Sequence, residues 1–327
     1  MKKGLMMLGI ATMMLASCTN EDVLNVSDSR AIGFNGTGID NITKADITSG
    51  NFAQFYVYGG YNTTDLFNGT EVNKSGKDWQ YNPTQYWKAG NWKFGAYAPK
   101  ADGAITPAWS YTDGLTLTVN SDATHQNDLI YAHATANVTA GEDGTLEGTD
   151  NVSLNFTHLL SKLAFKFTKD PQSLGAMTVT MSNFVVAGIT TNGQWIAGAQ
   201  QTLNDDPTPV VGNYSDAAGV IDKDNGVQTA WFYVIPQTVK AFAITADVEV
   251  KNGAGDIIKD GTISAEVPTT GQGVITAWTA QNQYLYSAQL SIDQITDPEN
   301  PNPQPIVFEG SAVDWNETIQ KGNTTIK

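Results

Sequence analysis

From Lys162 to Thr168 the chain reads Lys-Leu-Ala-Phe-Lys-Phe-Thr, with Leu163, Phe165 and Phe167 on alternate positions. A period of two belongs to the β-strand, whose successive side chains point to opposite faces. The pattern predicts a strand with one face in a core and one wet face carrying Lys162, Lys166 and Thr168. Similar runs recur at Phe52 to Tyr58, Trp92 to Ala98, Leu115 to Val119, Asp128 to Ala132, Met177 to Met181, Asn183 to Ala187, Ala230 to Ile235, Phe242 to Val250, Thr262 to Val267 and Tyr284 to Ile292. Turn signals such as Asn192-Gly193 and Asn252-Gly253 separate them. Phe52 to Tyr58 is apolar on both faces, which predicts a strand covered on each side. No amphipathic run is long enough for a helix, so the expected fold class is all-β, built as β-sandwiches.

At 327 residues the chain has room for two such domains. The polar stretch from Ala140 to Asn151 predicts a division into 31–150 and 151–327. One cysteine permits no intramolecular disulfide, so core burial and strand pairing must supply the stability. A formal net charge of −15 argues against nucleic acid, because phosphate binding needs clustered Lys and Arg.

That cysteine ends the stretch Leu15-Ala16-Ser17-Cys18, behind Lys2, Lys3 and the apolar run Leu5 to Leu15. The run is too short to span a bilayer core of roughly 30 Å. It reads as a lipoprotein signal, 1–17, cut before Cys18, whose acylated thiol would anchor the mature chain to a membrane. Residues 18–30 read as a polar tether. Thr19-Asn20-Glu21-Asp22 resembles the surface-export signal of Bacteroidota lipoproteins, which places the expected location at the outer membrane, facing outward.

The residues carry no recognisable catalytic chemistry. His125, His133 and His158 have no Cys or carboxylate at ligand spacing, so no metal is expected. Asp222-Lys223-Asp224-Asn225-Gly226 has its glycine one place early for a calcium loop and Tyr233 where a bidentate Glu is required, so it reads as a turn. There is no nucleophile elbow, phosphate loop or dinucleotide fingerprint, and no cofactor is expected. Trp79, Trp87, Trp92 and Trp109 leave two readings open, core residues or a carbohydrate-binding surface of exposed aromatics. Exposure of the rings separates them.

Several segments together resemble the fimbrillin-like proteins of Bacteroidota, subunits of type V pili. They are Trp79 to Trp87, Trp92-Lys93-Phe94-Gly95-Ala96-Tyr97-Ala98-Pro99, Phe156-Thr157-His158-Leu159-Leu160-Ser161-Lys162-Leu163-Ala164-Phe165, Val234-Ile235-Pro236-Gln237 and Val313-Asp314-Trp315. Their order spans nearly the whole mature chain. The resemblance implies two tandem transthyretin-like β-sandwich domains in a non-enzymatic pilus subunit that supports adhesion. It implies partners of three kinds: other pilin subunits, the outer membrane through Cys18, and a surface receptor. It further implies that a protease removes an N-terminal strand, here the one carrying Ile32 and Phe34, and that a strand from the next subunit fills the groove. A cut after Lys44 would carry that strand away, and Lys44 matches the family's cleaved position although it is a lysine. A cut after Arg30, the chain's one arginine, would leave the strand in place, and an uncut anchor is a third possibility. The candidate donor is the segment with Ile306, Phe308, Val313 and Trp315, behind a Pro-rich spacer at 297–305. The same segment also reads as a last strand packed on its own domain.

Overall fold

The computed structural model describes residues 30–37, 46–201, 211–217, 219–267 and 274–315. Cys18, the signal, the tether up to Ser29 and Lys44 lie outside the described residues. Within them the regular structure is β throughout except for a 3-10 turn at Ile292–Gln294, so the chain is all-β as its periodicity predicts.

The first half forms a seven-stranded sheet. Its order runs Thr157–His158, Ile130–Ala140, Gly90–Ala98, Gln54–Tyr61, Thr64–Ser75, Asp78–Gln80, with Leu146–Glu147 added beside Ile130–Ala140. The central strand Gln54–Tyr61 explains its own composition. Phe55 and Val57 face a core that includes Phe67, Trp87, Trp92 and Phe94, whereas Tyr56 and Tyr58 face a second cluster with Tyr97, Leu115, Leu117 and Trp195. Alternation places successive residues in different cores, so both sets must be large and apolar. The Tyr56 hydroxyl donates to Gln54 Oε1 at 2.8 Å, and burial raises the Tyr97 phenol to about 12.

The second half packs two sheets face to face. One runs Val227–Gln228, Ser161–Lys169, Asn282–Leu290, Glu309–Asp314, with Phe232–Val234 also on Ser161–Lys169. The other runs Val211–Asp216, Thr178–Thr190, Phe242–Lys251, Ile257–Val267. Leu163, Phe165 and Phe167 all point into the core between them, against Val179, Met181, Phe184 and Val248. This is the inward face that the period of two requires.

The halves are not separate in space. Asn192–Ile196, from the second half, pairs antiparallel with Gly114–Asn120 from the first, setting Trp195 opposite Leu117. Val152, Leu154 and Phe156 belong to the first core, so that core continues past the boundary expected at 150/151. Two expectations are corrected. Lys162 does not lie on a wet face: it is 1% exposed, because the strands at its end of the sheet are covered by the first half. The spacer at 297–305 does not begin as an extended rod. Asn300 N–H donates back to Asp297 O (3.1 Å), Lys259 pairs with the Asp297 carboxylate (2.8 Å), and Thr296 bridges Thr262, so local hydrogen bonds outcompete the extended form.

Candidate functional site: an inlaid N-terminal strand and the junction beneath it

The short strand Phe34–Thr37 lies parallel to Val152–Asn155, with Phe34 opposite Val152. Val152 N–H donates to Gly33 O and Phe156 N–H to Thr37 O, both at 2.8 Å. On its other side, Ile32 N–H donates to Gln85 O (2.9 Å), Trp87 N–H to Arg30 O (2.8 Å) and the Tyr81 hydroxyl to Ile32 O (2.7 Å). Residues 30–37 are therefore clamped along both edges.

The inward positions are Ile32, Phe34 and Gly36. Ile32 is 2% and Phe34 3% exposed. Phe34 meets the rings of Phe55, Phe67, Tyr81 and Phe94 edge-on at 5.4 to 6.0 Å, the geometry that ring quadrupoles favour. At Gly36 the fit is close, since a Cβ there would sit 3.1 to 3.3 Å from the rings of Phe52 and Trp79, which would have to give by a few tenths of an ångström. Burial of Ile32 and Phe34 contributes roughly 1.5 to 3 kcal/mol each. A single segment of chain thus closes one side of the first core.

Arg30 is half-buried, and its guanidinium donates to Gly144 O at 3.0 Å. Together with the Trp87 bond to its carbonyl, this builds the Arg30–Ala31 peptide into the fold. Asp46, the first described residue after the break that contains Lys44, is deeply anchored. Its carboxylate accepts from the Lys162 ammonium and from the Tyr233 hydroxyl (2.7 Å), and its carbonyl accepts from the Asn51 amide (2.7 Å). Ile47 N–H donates to Asp128 Oδ2 (2.8 Å), and Asp128 Oδ1 pairs with His158 Nδ1 (2.9 Å). Tyr233 is held in turn by first-half side chains, with its N–H donating to Gln126 and its carbonyl accepting from Ser121. Burial, with the Asp46 carboxylate adding to it, pushes the Tyr233 phenol well above its ordinary range.

The C-terminal segment also ends at this junction. Glu309–Asp314 pairs antiparallel with Asn282–Leu290 at the edge of its sheet. Ile306 is 7% exposed and the half-buried Phe308 packs against Phe165 and Phe167. Val313 is half-buried on the strand. Trp315 is 1% exposed, stacked on His158 (4.5 Å, 10°) with Lys162 Nζ 4.3 Å above its ring. The segment sits on its own half as a last strand.

Of the four tryptophans weighed as a sugar platform, Trp87 and Trp92 are 3% and 1% exposed. Trp79 packs on Phe52 and Phe55, and Trp109 donates its indole N–H to Asp65. Two of the four are thus buried, and Trp79 and Trp109 are half-buried. Asp46, Asp128 and Tyr233 were invisible to sequence reasoning, because Asp46 meets partners 116 and 187 positions away. Only the motif containing His158 and Lys162 signalled the place.

The fold and this site define a class: an all-β protein whose first core is closed by its own N-terminal strand. A family model described as fimbrillin-like matches residues 37–305. The chain belongs to the fimbrillin-like family. Among solved structures, it is similar to a fimbrial protein from Bacteroides vulgatus at 12% identity, over 88% of this chain and 99% of that one, with a TM-score of 0.57. It also matches a fimbrilin from Porphyromonas gingivalis at 13% identity, over 89% and 98% of the two chains, with a TM-score of 0.49. At these identities the first likeness speaks for the fold alone. No curated relative matches.

Proposed function

We propose that this chain is a structural subunit of a cell-surface pilus, built as two tandem transthyretin-like sandwiches and delivered as an outer-membrane lipoprotein through Cys18. The observation that carries the reading is the inlaid strand: Ile32 and Phe34 fill an aromatic core from outside its sheet, attached through a short ladder. Such a strand is an insert that another chain of similar pattern can replace, since ladder bonds supply affinity and alternate side chains fill the pockets.

A cut after Lys44 severs the insert and leaves the remaining chain moored at Asp46. A cut after Arg30 leaves Ile32 and Phe34 in the groove. The donor is the segment from Ile306 to Trp315, which packs on its own half until assembly draws it out. Three or four apolar side chains entering the groove would contribute on the order of 5 to 10 kcal/mol before ordering costs. Adhesion to a receptor would be a property of the assembled fibre. A sugar-binding role lacks support, because the tryptophans are packed and Tyr86 is the exposed large aromatic among the described residues.

Limited digestion of the purified, unlipidated protein with trypsin tests this, read by size-exclusion chromatography and fragment masses. The expected result is a clean cut after Lys44 followed by a ladder of higher oligomers. A persistent monomer, cut at Arg30 alone or not at all, would count against strand exchange.

A further inference from the structure

We propose that Asp46 and Lys162 form a spontaneous intramolecular amide bond, Nζ of Lys162 joining Cγ of Asp46 with loss of one water. The two groups touch, and their side chains are 2% and 1% exposed. Lys162 is the one lysine in the buried set among the described residues. The ion pairs Lys259–Asp297 and Lys251–Glu249 are wetter, with side chains 10 to 14% and 33 to 38% exposed. Exclusion of water matters twice, because it weakens the preference for charged partners and protects what forms.

The step balances without an outside reagent. The ammonium of Lys162 first gives a proton to the carboxylate oxygen it touches, producing a neutral amine beside a carboxylic acid. The amine lone pair then attacks Cγ, forming the N–C bond. Nζ loses its second proton to the same oxygen, and the C–Oδ2 bond breaks to release water, leaving one proton on the amide nitrogen. Nothing is oxidised or reduced.

The surrounding groups suit each stage. Burial, opposed by the Asp46 and Asp128 carboxylates, lowers the Lys162 pKa and so favours the neutral amine that a nucleophile must be. The Tyr233 hydroxyl donates to Asp46 Oδ1, the oxygen that gathers negative charge when carbon becomes tetrahedral and that becomes the amide carbonyl. Asp128 acts electrostatically on Lys162, which offsets the positive charge nitrogen acquires as it bonds to carbon. The Trp315 ring roofs Nζ at 4.3 Å. Holding both reactants in one site replaces a bimolecular encounter with effective concentrations on the order of 10⁵ M or more.

The bond would tie the residue ahead of the first sheet to the opening strand of the second core, across 116 positions. It does not depend on the pilus reading, because the junction exists in the single chain.

Intact-mass spectrometry of the denatured, unlipidated protein is the test, followed by trypsin digestion. The expected mass is below the sequence mass by one water. The expected digest contains residues 45–74 joined to 101–166, with Lys162 uncut. The Asp46→Ala and Lys162→Arg variants should both show their full sequence masses. A wild-type protein of full mass, cut by trypsin after Lys162, would overturn the proposal and leave an ordinary buried ion pair. So would a water loss that persists in Lys162→Arg. If either variant does not fold, the wild-type digest decides alone.

Discussion

Phe34→Ala is expected to lower the unfolding free energy by roughly 3 to 5 kcal/mol, the range for truncating a buried phenylalanine. The ring is 3% exposed and touches four aromatic neighbours, three of which, Phe55, Phe67 and Phe94, stand on strands of the large sheet. Those strands are held by their own ladders and cannot close over the cavity. The loss has a ceiling, however. Phe34 lies on an insert, so once the insert detaches no further penalty accrues. A measured loss at the low end would therefore report the docking energy of residues 30–37 rather than that of one side chain. Asn35→Ala, on the exposed face of the same strand, is expected to stay within about 0.5 kcal/mol. Denaturant titration of both variants separates packing from mere strand presence. Equal effects would mean that the strand is not seated as described.

Lys162→Met is expected to cost roughly 3 to 5 kcal/mol, because it leaves the Asp46 carboxylate buried without its lysine partner. Lys166→Met, four positions along the same strand and half-buried, is expected to change stability by about 0.5 kcal/mol or less. The pair is a direct reading of where one lysine of a period-two pattern has gone. Adding Asp46→Leu to Lys162→Met is expected to restore the part of the loss that comes from the stranded charge, while the loss of the covalent tie remains. Chemical denaturation of the three variants checks this. Equal effects at Lys162 and Lys166 would mean that the junction contributes little, whether as an ion pair or as a covalent tie.

The two experiments bear on different parts of the proposed role. The Phe34 series measures how firmly the native insert is held, and hence what a replacing strand must match. The Lys162 series measures what moors the chain just downstream of Lys44. With Trp315 seated on Lys162 and His158, the same junction also bears on how readily the C-terminal segment departs.

Whereas the removable strand with Ile32 and Phe34 came from the family resemblance, local pattern was enough to determine the all-β class, the inward set Leu163, Phe165 and Phe167, and the double-sided burial of Phe55 to Tyr58. Each of these follows from the alternation of side chains along a strand, which neighbours in sequence carry among themselves. Tertiary structure alone decided which polar residues of those patterns would be buried. Lys162 reads as a solvent residue by period and is sunk because the first half of the chain covers that end of its sheet. Asp46 has no local pattern at all, and its partners stand 116 and 187 positions away. The C-terminal strand reads equally well docked or extended, and its docking depends on a seat made by His158 and Lys162. The large sheet's extension through Thr157–His158 and the pairing of Asn192–Ile196 with Gly114–Asn120 likewise join residues far apart in the chain. Periodicity fixes which way a side chain points from its strand, but what waits there is set by contacts between distant segments, which no stretch of sequence contains.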